Sequence, residues 1–295
     1  MNEKRCVSFG NGDIWTLDRP YIMGVINTTP DSFFEDSRFL DESVFLKKIE
    51  EMIFHGVDIV DIGGMSTRPG AEMISLEEER DRTIDKIKVC KKKFPHLKIS
   101  IDTQRAELAK QAACEGVDMI NDISAGRFSE GKIFDVAKQH QLPIILMHML
   151  GTPATMQKNP IYKRGVVEEI SLFFDKKLKE LGDFGIVKEK IIIDPGIGFG
   201  KTLADNLAIF RDISSLVAKG CAVLIGASMK SMFKEICNAK TTQRLPATLG
   251  AHLSALISGA NIVRVHDVAA AKHSIKSILL TLSQDKIPEH LKAFG

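Results

Sequence analysis

The chain carries little that would tie it to a special environment, and each scarcity closes off a class of protein. Its five cysteines, Cys6, Cys90, Cys114, Cys221 and Cys237, are odd in number, widely scattered and without a CxxC spacing. That speaks against a disulfide framework or a structural zinc and for a reducing compartment. Charge of one sign is also missing: 40 Lys+Arg against 38 Asp+Glu leave a net +2, which offers no field for nucleic acid or an anionic membrane. The lysine-rich stretches KVCKKKF and KKLKELGDFGIVKEK fall on helix faces and read as solvated surface. No apolar run approaches the about 18 residues of a membrane span, and the opening MNEKRCVSFGNGDIWTLDRP lacks an apolar signal core. The expectation is a cytoplasmic protein. No GxGxxG turn follows the first strand-like segment, and there is no low-complexity linker or internal repeat. A Ser/His/Asp triad, a cysteine nucleophile and a His/carboxylate cluster at zinc spacing are absent too; the nearest histidine pair, His252 and His266, lies in different elements.

What is present is a regular alternation. Eight short β-branched runs, YIMGVI, VDIVDIG, LKISID, VDMIND, PIILMH, KIIID, AVLIG and NIVRVH, are separated by longer amphipathic segments. In DESVFLKKIEEMIFHG, Val44, Leu46, Ile49, Met52 and Ile53 recur at helical spacing and Gly56 suits the stop. SLEEERDRTIDKIKVCKKKF opens with Ser75 and, three residues on, Glu78, the signature of a capping box. Strands alternating with helices predict right-handed βαβ units and a parallel sheet. Eight units in 295 residues predict an α/β fold, a closed (β/α)8 TIM barrel, with residues 1–20 as a lead-in and 21–295 as one barrel domain. An open doubly wound sheet is the alternative, disfavoured by the missing glycine-rich turn.

The stretch IIIDPGIGFGKT, Ile191 to Thr202, ends like a phosphate-binding loop. Such a loop needs a glycine, four residues and then Gly-Lys-Thr, so that successive N–H groups wrap the phosphates. Pro195 occupies that glycine position, removing a donor and fixing φ, and the Asp194 carboxylate would repel a phosphate beside it. The nucleotide reading therefore fails, and Asp194 becomes one of a set. In a barrel, the C-terminal ends of the strands converge on one mouth. This chain places there Asn27, Asp61, Asp102, Asn121, His148, Asp194, Lys230, Arg264 and His266. Singly, Asp61 and Asp122 read as turn caps, His148 as a satisfied core histidine and Asn27 as a loop former; together they mark a polar pocket with both signs of charge.

Asp102, Asp194, Asn121 and Lys230 suit a flat heterocycle with mixed donors and acceptors, because a carboxylate accepts two parallel N–H bonds from an aminopyrimidinone edge. Arg264, His266, Arg68 and Asn27 suit an oxyanion, and Asn27 could also hold Mg²⁺ through oxygen. The pocket thus has one end for a pterin or purine-like ring and another for a phosphate.

The motifs MGVINTTPDSFFEDSRF, DIGGMSTRPGA, SIDTQRAELA, INDISAG, LMHMLGTPATMQ, DPGIGFGKT, GASMKS and IVRVHD occur in the order and at about the spacing of the dihydropteroate synthases, which the chain resembles from Tyr21 to its last helix. The resemblance implies condensation of 6-hydroxymethyl-7,8-dihydropterin pyrophosphate with 4-aminobenzoate to 7,8-dihydropteroate and pyrophosphate, in folate synthesis. It implies a pterin pocket of Asp102, Asn121, Asp194 and Lys230 with Met147 against the ring. It also implies a pyrophosphate and Mg²⁺ group of Asn27, Arg264 and His266, and an aminobenzoate site, the place of sulfonamide mimicry, bordered by Thr67, Arg68, Pro69, Phe199, Lys230 and Ser231. The reaction it implies is dissociative and needs no enzyme nucleophile. A homodimer paired through the last helices is expected, with ATLGAHLSALISGA as its face.

Three positions depart from the resemblance. Met65 stands where a glutamate is usual before STRPG, Met229 where an arginine is usual before KS, and FFEDS, with Phe34, where a serine, an aspartate and two glycines are usual. Loss of an acid and a base together suggests an ion pair replaced by an apolar pair, a swap that is close to neutral when both partners go. Two other functions stay open: a pterin-binding methyl-transfer domain, and a non-catalytic pterin-binding relative. Intact Lys230, Arg264 and His266 argue against both.

Overall fold

The computed structural model describes residues 5–28, 42–66, 70–71, 73–282 and 286–293. It opens with an antiparallel hairpin of β1 (Cys6–Ser8) and β2 (Ile14–Thr16). Then follow β3 (Tyr21–Asn27), α1 (Glu42–Phe54), β4 (Ile59–Gly63), α2 (Leu76–Lys93), β5 (Lys98–Asp102), α3 (Ala106–Cys114) and β6 (Met119–Asp122). The second half comprises α4 (Lys132–Gln139), β7 (Ile144–Met147), α5 (Val166–Phe184), β8 (Ile191–Asp194), α6 (Leu203–Arg211) and α7 (Ile213–Val217). It closes with β9 (Ala222–Ile225), α8 (Met232–Cys237), α9 (Leu245–Ile257), β10 (Ile262–Val265) and α10 (Val268–Thr281). Strands β3 to β10 are parallel, and β10 pairs with both β9 and β3, so the sheet closes into a (β/α)8 barrel.

Two apolar layers follow from the period-2 alternation of the strands. One set of positions, such as Ile22, Ile26, Val60, Ile62, Ile99 and Ile101, points outward into the layer shared with the helices. The alternate set fills the barrel: Tyr21, Met23, Ile59, Met119, Ile145, Ile192, Leu224 and Ile262 pack with Val7, Phe9, Trp15 and Leu17 of the N-terminal segment. Trp15 stacks on Tyr21 at 4.2 Å between ring centroids, and Phe9 meets Trp15 edge-on at 4.9 Å. Lys98 lies over the Phe9 ring at 4.1 Å and pairs with Asp13 at 2.6 Å. The hairpin thus stoppers the N-terminal end of the barrel.

Two local expectations are corrected. Helix α1 buries Phe45, Ile49 and Met52, whereas Val44 and Ile53 face outward at 42% and 38% exposure; the i, i+4, i+7 stripe that includes the larger Phe45 sets the helix rotation. At α2, Ser75 does accept from the Glu78 N–H at 3.1 Å, but the Glu78 carboxylate pairs with Arg82 instead of returning to the cap.

Candidate active site at the barrel mouth

Continuing the inward-facing positions toward the C-terminal ends of the strands turns the lining from apolar to polar. Beyond Met23 and Ile59 come Asn27 and Asp61, beyond Met119 comes Asn121, and beyond Ile192 and Ile262 come Asp194 and Arg264. The register sets Asn27 beside Gly63, Gly63 beside Asp102, Asp102 beside Asn121, and Met147 beside Asp194. Strand pairing alone therefore gathers side chains that are far apart in the chain.

Their charges interlock. Asp61 is fully buried, and its Oδ2 accepts from Arg264 Nε at 2.7 Å and Asn121 Nδ2 at 2.9 Å. Its Oδ1 is buried and finds no hydrogen-bond partner among the described residues. Arg264 also donates through a terminal nitrogen to Asp102 Oδ2 at 2.8 Å. Burial works against the guanidinium charge, but Asp61 and Asp102 outweigh it and raise the pKa of Arg264. Burial, then the negative charge of Asp61, pushes the Asp102 carboxyl well above the usual carboxylate range, with Arg264 resisting. Sequence grouped Arg264 with the anion-binding end; in the barrel its guanidinium is held by Asp61 and Asp102, because a buried cation between strands needs carboxylate partners.

Opposite, Asp194 Oδ1 accepts the Gly196 N–H at 2.7 Å, and its backbone oxygen accepts from the His148 N–H at 2.9 Å. Its pKa is raised by burial, opposed by the Gly196 hydrogen bond and by Lys230. The tight turn after it requires glycine: at Gly196, with φ +69°, a Cβ would lie 2.1 Å from the His148 carbonyl oxygen. Lys230 holds its ammonium 4.0 Å from the Phe199 ring centroid, and burial lowers its pKa to about 8 against the pull of Asp194. Phe199 and Met147 belong to a buried apolar cluster with Ile123, Met149 and Met156, a wall suited to a flat ring.

His266 is exposed on the rim, with Nδ1 2.9 Å from Ser228 Oγ. A cavity of about 350 Å³ opens beside it, lined also by Lys48, His55 and Met229. Ser231 is exposed at the start of α8, and Asn27 is half-buried at the end of β3. Thr67, Arg68 and Pro69, and the first-loop segment with Phe34, lie outside the described residues. Asp122 is the turn cap that sequence suggested: Oδ1 accepts from the Ser124 N–H and hydroxyl, and Oδ2 from the Gly126 N–H, each at 2.7 Å. Asp61, given the same reading, is instead the shared acceptor of Arg264 and Asn121. Thr202 caps α6 in a reciprocal box with Asp205, and the Lys201 side chain is turned inward, so no phosphate cradle forms.

Among the described residues, no three His, Cys, Asp or Glu side chains gather as a metal cluster. Nor is any helix there long and apolar enough to cross a membrane.

Comparison with known proteins agrees with this geometry. The sequence pattern of the family described as "Pterin binding enzyme" matches residues 23–266. The dihydropteroate synthase of Synechocystis sp. is 43% identical over 253 residues, covering 85% of this chain and 86% of the relative. Among solved structures, the Yersinia pestis dihydropteroate synthase with a sulfonamide drug superposes with a TM-score of 0.87 at 34% identity, covering 94% of this chain and 98% of that one. The Xanthomonas albilineans enzyme in complex with 7,8-dihydropteroate superposes with a TM-score of 0.81 at 33% identity, covering 92% and 98%. Shared over nearly the whole barrel, these likenesses place the chain in the family of pterin-binding enzymes, among the dihydropteroate synthases.

Proposed function

We infer that the barrel mouth catalyses the dihydropteroate synthase reaction of folate biosynthesis, joining 4-aminobenzoate to the methylene carbon of 6-hydroxymethyl-7,8-dihydropterin pyrophosphate with release of pyrophosphate. The observation that carries this reading is the alternation of acceptors and donors, Asp102, Asn121, Asp194 and Lys230, around one mouth beside the Met147–Phe199 wall. A pterin edge offers the complementary N–H and C=O groups, and the wall takes its face.

In the proposed sequence, the C–O bond to pyrophosphate breaks first and the electron pair leaves with the oxyanion. Arg264 and His266 meet that charge. The dihydropterin cation is then attacked by the arylamine nitrogen, a C–N bond forms and the resulting ammonium gives its proton to solvent water. Fixed charges aimed at the leaving group and the cation carry most of the rate, with orientation second. Phe199 and Ser231 would border the amine, where sulfonamides would compete; the family resemblance adds Thr67, Arg68 and Pro69, which lie outside the described residues.

Asn27 would hold Mg²⁺ through its side-chain oxygen. This fits an ion that keeps several waters and takes one or two protein oxygens together with substrate phosphates, and it would neutralise the departing pyrophosphate. Cytoplasmic residence is supported by five free thiols. A homodimer is supported by Leu280, 85% exposed on α10, and Ile257, 43% exposed on α9; sedimentation of the purified chain tests it.

The decisive assay is pyrophosphate release from dihydropterin pyrophosphate and Mg²⁺, with and without 4-aminobenzoate, beside Lys230→Ala. Release that requires the amine, yields dihydropteroate and collapses in the variant is expected. Pterin binding without product would point to the non-catalytic relative.

A further inference from the structure

The reaction above leaves unused the most deeply placed cation of the site. Lys201 is 4% exposed, and its Nζ reaches three acceptors: the Phe199 carbonyl at 3.0 Å, the His148 carbonyl at 3.2 Å and His148 Nδ1 at 3.2 Å. An ammonium has three protons to donate, so the match is complete. The His148 ring takes the acceptor role because it stays neutral: burial, then the charges of Lys201 and Arg127, drives its pKa down to about 3. It is fixed in turn by an edge-on contact with Phe173 at 5.0 Å.

These acceptors belong to two different strand ends. His148 follows β7, whereas Phe199 sits in the loop after β8, whose Gly196, Gly198 and Gly200 all have positive φ. A loop with three such residues has little stiffness of its own. It is tied down from outside: Gln157 donates to the Gly198 carbonyl at 2.6 Å, Asn206 accepts from the Gly198 N–H at 2.8 Å, and Tyr162 donates to the Gly200 carbonyl at 2.8 Å. Lys201 is the tie from beneath. Burial lowers its pKa to about 7, with Asp194 and Asp205 of α6 favouring the charged form and Lys230 of the mouth opposing it, so the pin is fullest below neutral pH.

We propose that Lys201 is a positioning residue for the pterin site, an ammonium pin that clamps the Gly196–Gly200 loop to the end of β7 and so sets where Phe199 and Asp194 meet the substrate. The phosphate-loop look of GFGKT thus conceals an inward-facing role for its lysine. This assignment rests on the synthase reading, and the test separates the two.

Equilibrium binding of dihydropterin pyrophosphate is measured for the wild type, Lys201→Met and Lys201→Arg, with backbone hydrogen exchange read segment by segment. Lys201→Met removes charge-assisted hydrogen bonds and is expected to weaken pterin binding about tenfold or more. Exchange should quicken in 195–201 and not in the β1–β2 hairpin, and Lys201→Arg should recover most of the affinity. A folded Lys201→Met that binds the pterin like the wild type overturns the proposal, as does exchange that rises equally throughout the chain. If Lys201→Met does not fold, Lys201→Gln, which keeps two donors without the charge, is judged by the same criteria. Failure of the wild type to bind at all would instead sink the synthase reading.

Discussion

The two ends of this barrel share their strands and differ in what fills them. At the N-terminal end, Trp15, Phe9, Val7 and Leu17 of the hairpin meet Tyr21, Met23 and Ile59 in a dry apolar plug. At the mouth, a few residues further along the same strands, Asp61, Asn121 and Asp194 are buried next to Arg264 and Lys230. Burying apolar surface stabilises the fold, whereas taking charges out of water opposes it unless every partner is in place. The raised carboxyls of Asp102 and Asp194 and the lowered ammonium of Lys230 are the mark of that opposition. The apolar bottom of the barrel supplies stability that offsets the cost of the buried charges at the mouth.

The comparison breaks most visibly if the plug is emptied. Trp15→Ala removes the ring stacked on Tyr21 and is expected to lower stability by about 3–5 kcal/mol, the range for a buried aromatic. Chemical denaturation measures the loss. Pterin affinity at a temperature where the variant is folded should hardly change, and a parallel loss of binding would mean that the two ends are not separable.

The converse substitution lies at the mouth. Asp194→Asn keeps the shape and removes the charge, and kcat/KM for the pterin substrate should fall by about 10²–10³-fold, as for a preorganised electrostatic group. Stability should not fall with it. The folded-state pKa of Asp194 is raised above its unfolded value, so its contribution is favourable below the unfolded pKa and is lost as pH rises through the folded one. Above the folded-state pKa the ionised carboxylate opposes folding, and there the amide variant should melt no lower than the wild type. A large drop in Tm would show that Asp194 holds the fold as well as the substrate.

A smaller effect sharpens the same contrast. The pH profile of kcat/KM reports groups of the free enzyme. Its acid limb should lie well above the ordinary carboxylate range, because burial and Asp61 raise Asp102. Its alkaline limb should fall near pH 8, where Lys230 loses its proton. Lys230→Arg should carry the alkaline limb upward, since a guanidinium does not deprotonate in this range. An alkaline limb that stays in place would assign it to another group.

How much of this was legible in the sequence differs between the two ends for physical reasons. Strands buried on both faces read as short β-branched runs, so IIIDPG or NIVRVHD announces both a strand and the polar residue at its tip. The hairpin has strands of only three residues, CVS and IWT, too short for a period, and its worth comes from Trp15 finding Tyr21. Asp61 carried no local sign of its partners, which lie 60 and 203 residues away in Asn121 and Arg264. Lys201 was hidden behind a motif. Local pattern shows which residues stand at a strand end, and only closure of the barrel shows which of them face one another.

The smallest expected effect concerns Met65 and Met229, the positions where an acid and a base are usual. Met65 is buried, and Met229 is half-buried in a left-handed conformation with φ +59°. The Met229 carbonyl accepts from an Arg244 terminal nitrogen at 3.1 Å, so a second arginine at 229 would face like charge at once. Met65→Glu alone would bury an unpaired carboxylate. If the usual acid and base form an ion pair, each single change should destabilise by about 1–3 kcal/mol while the double change restores part of the loss, with a coupling of about 1 kcal/mol. Urea midpoints of the four proteins give the cycle. Simple additivity would mean that the two methionines are separate substitutions, each settled in its own surroundings.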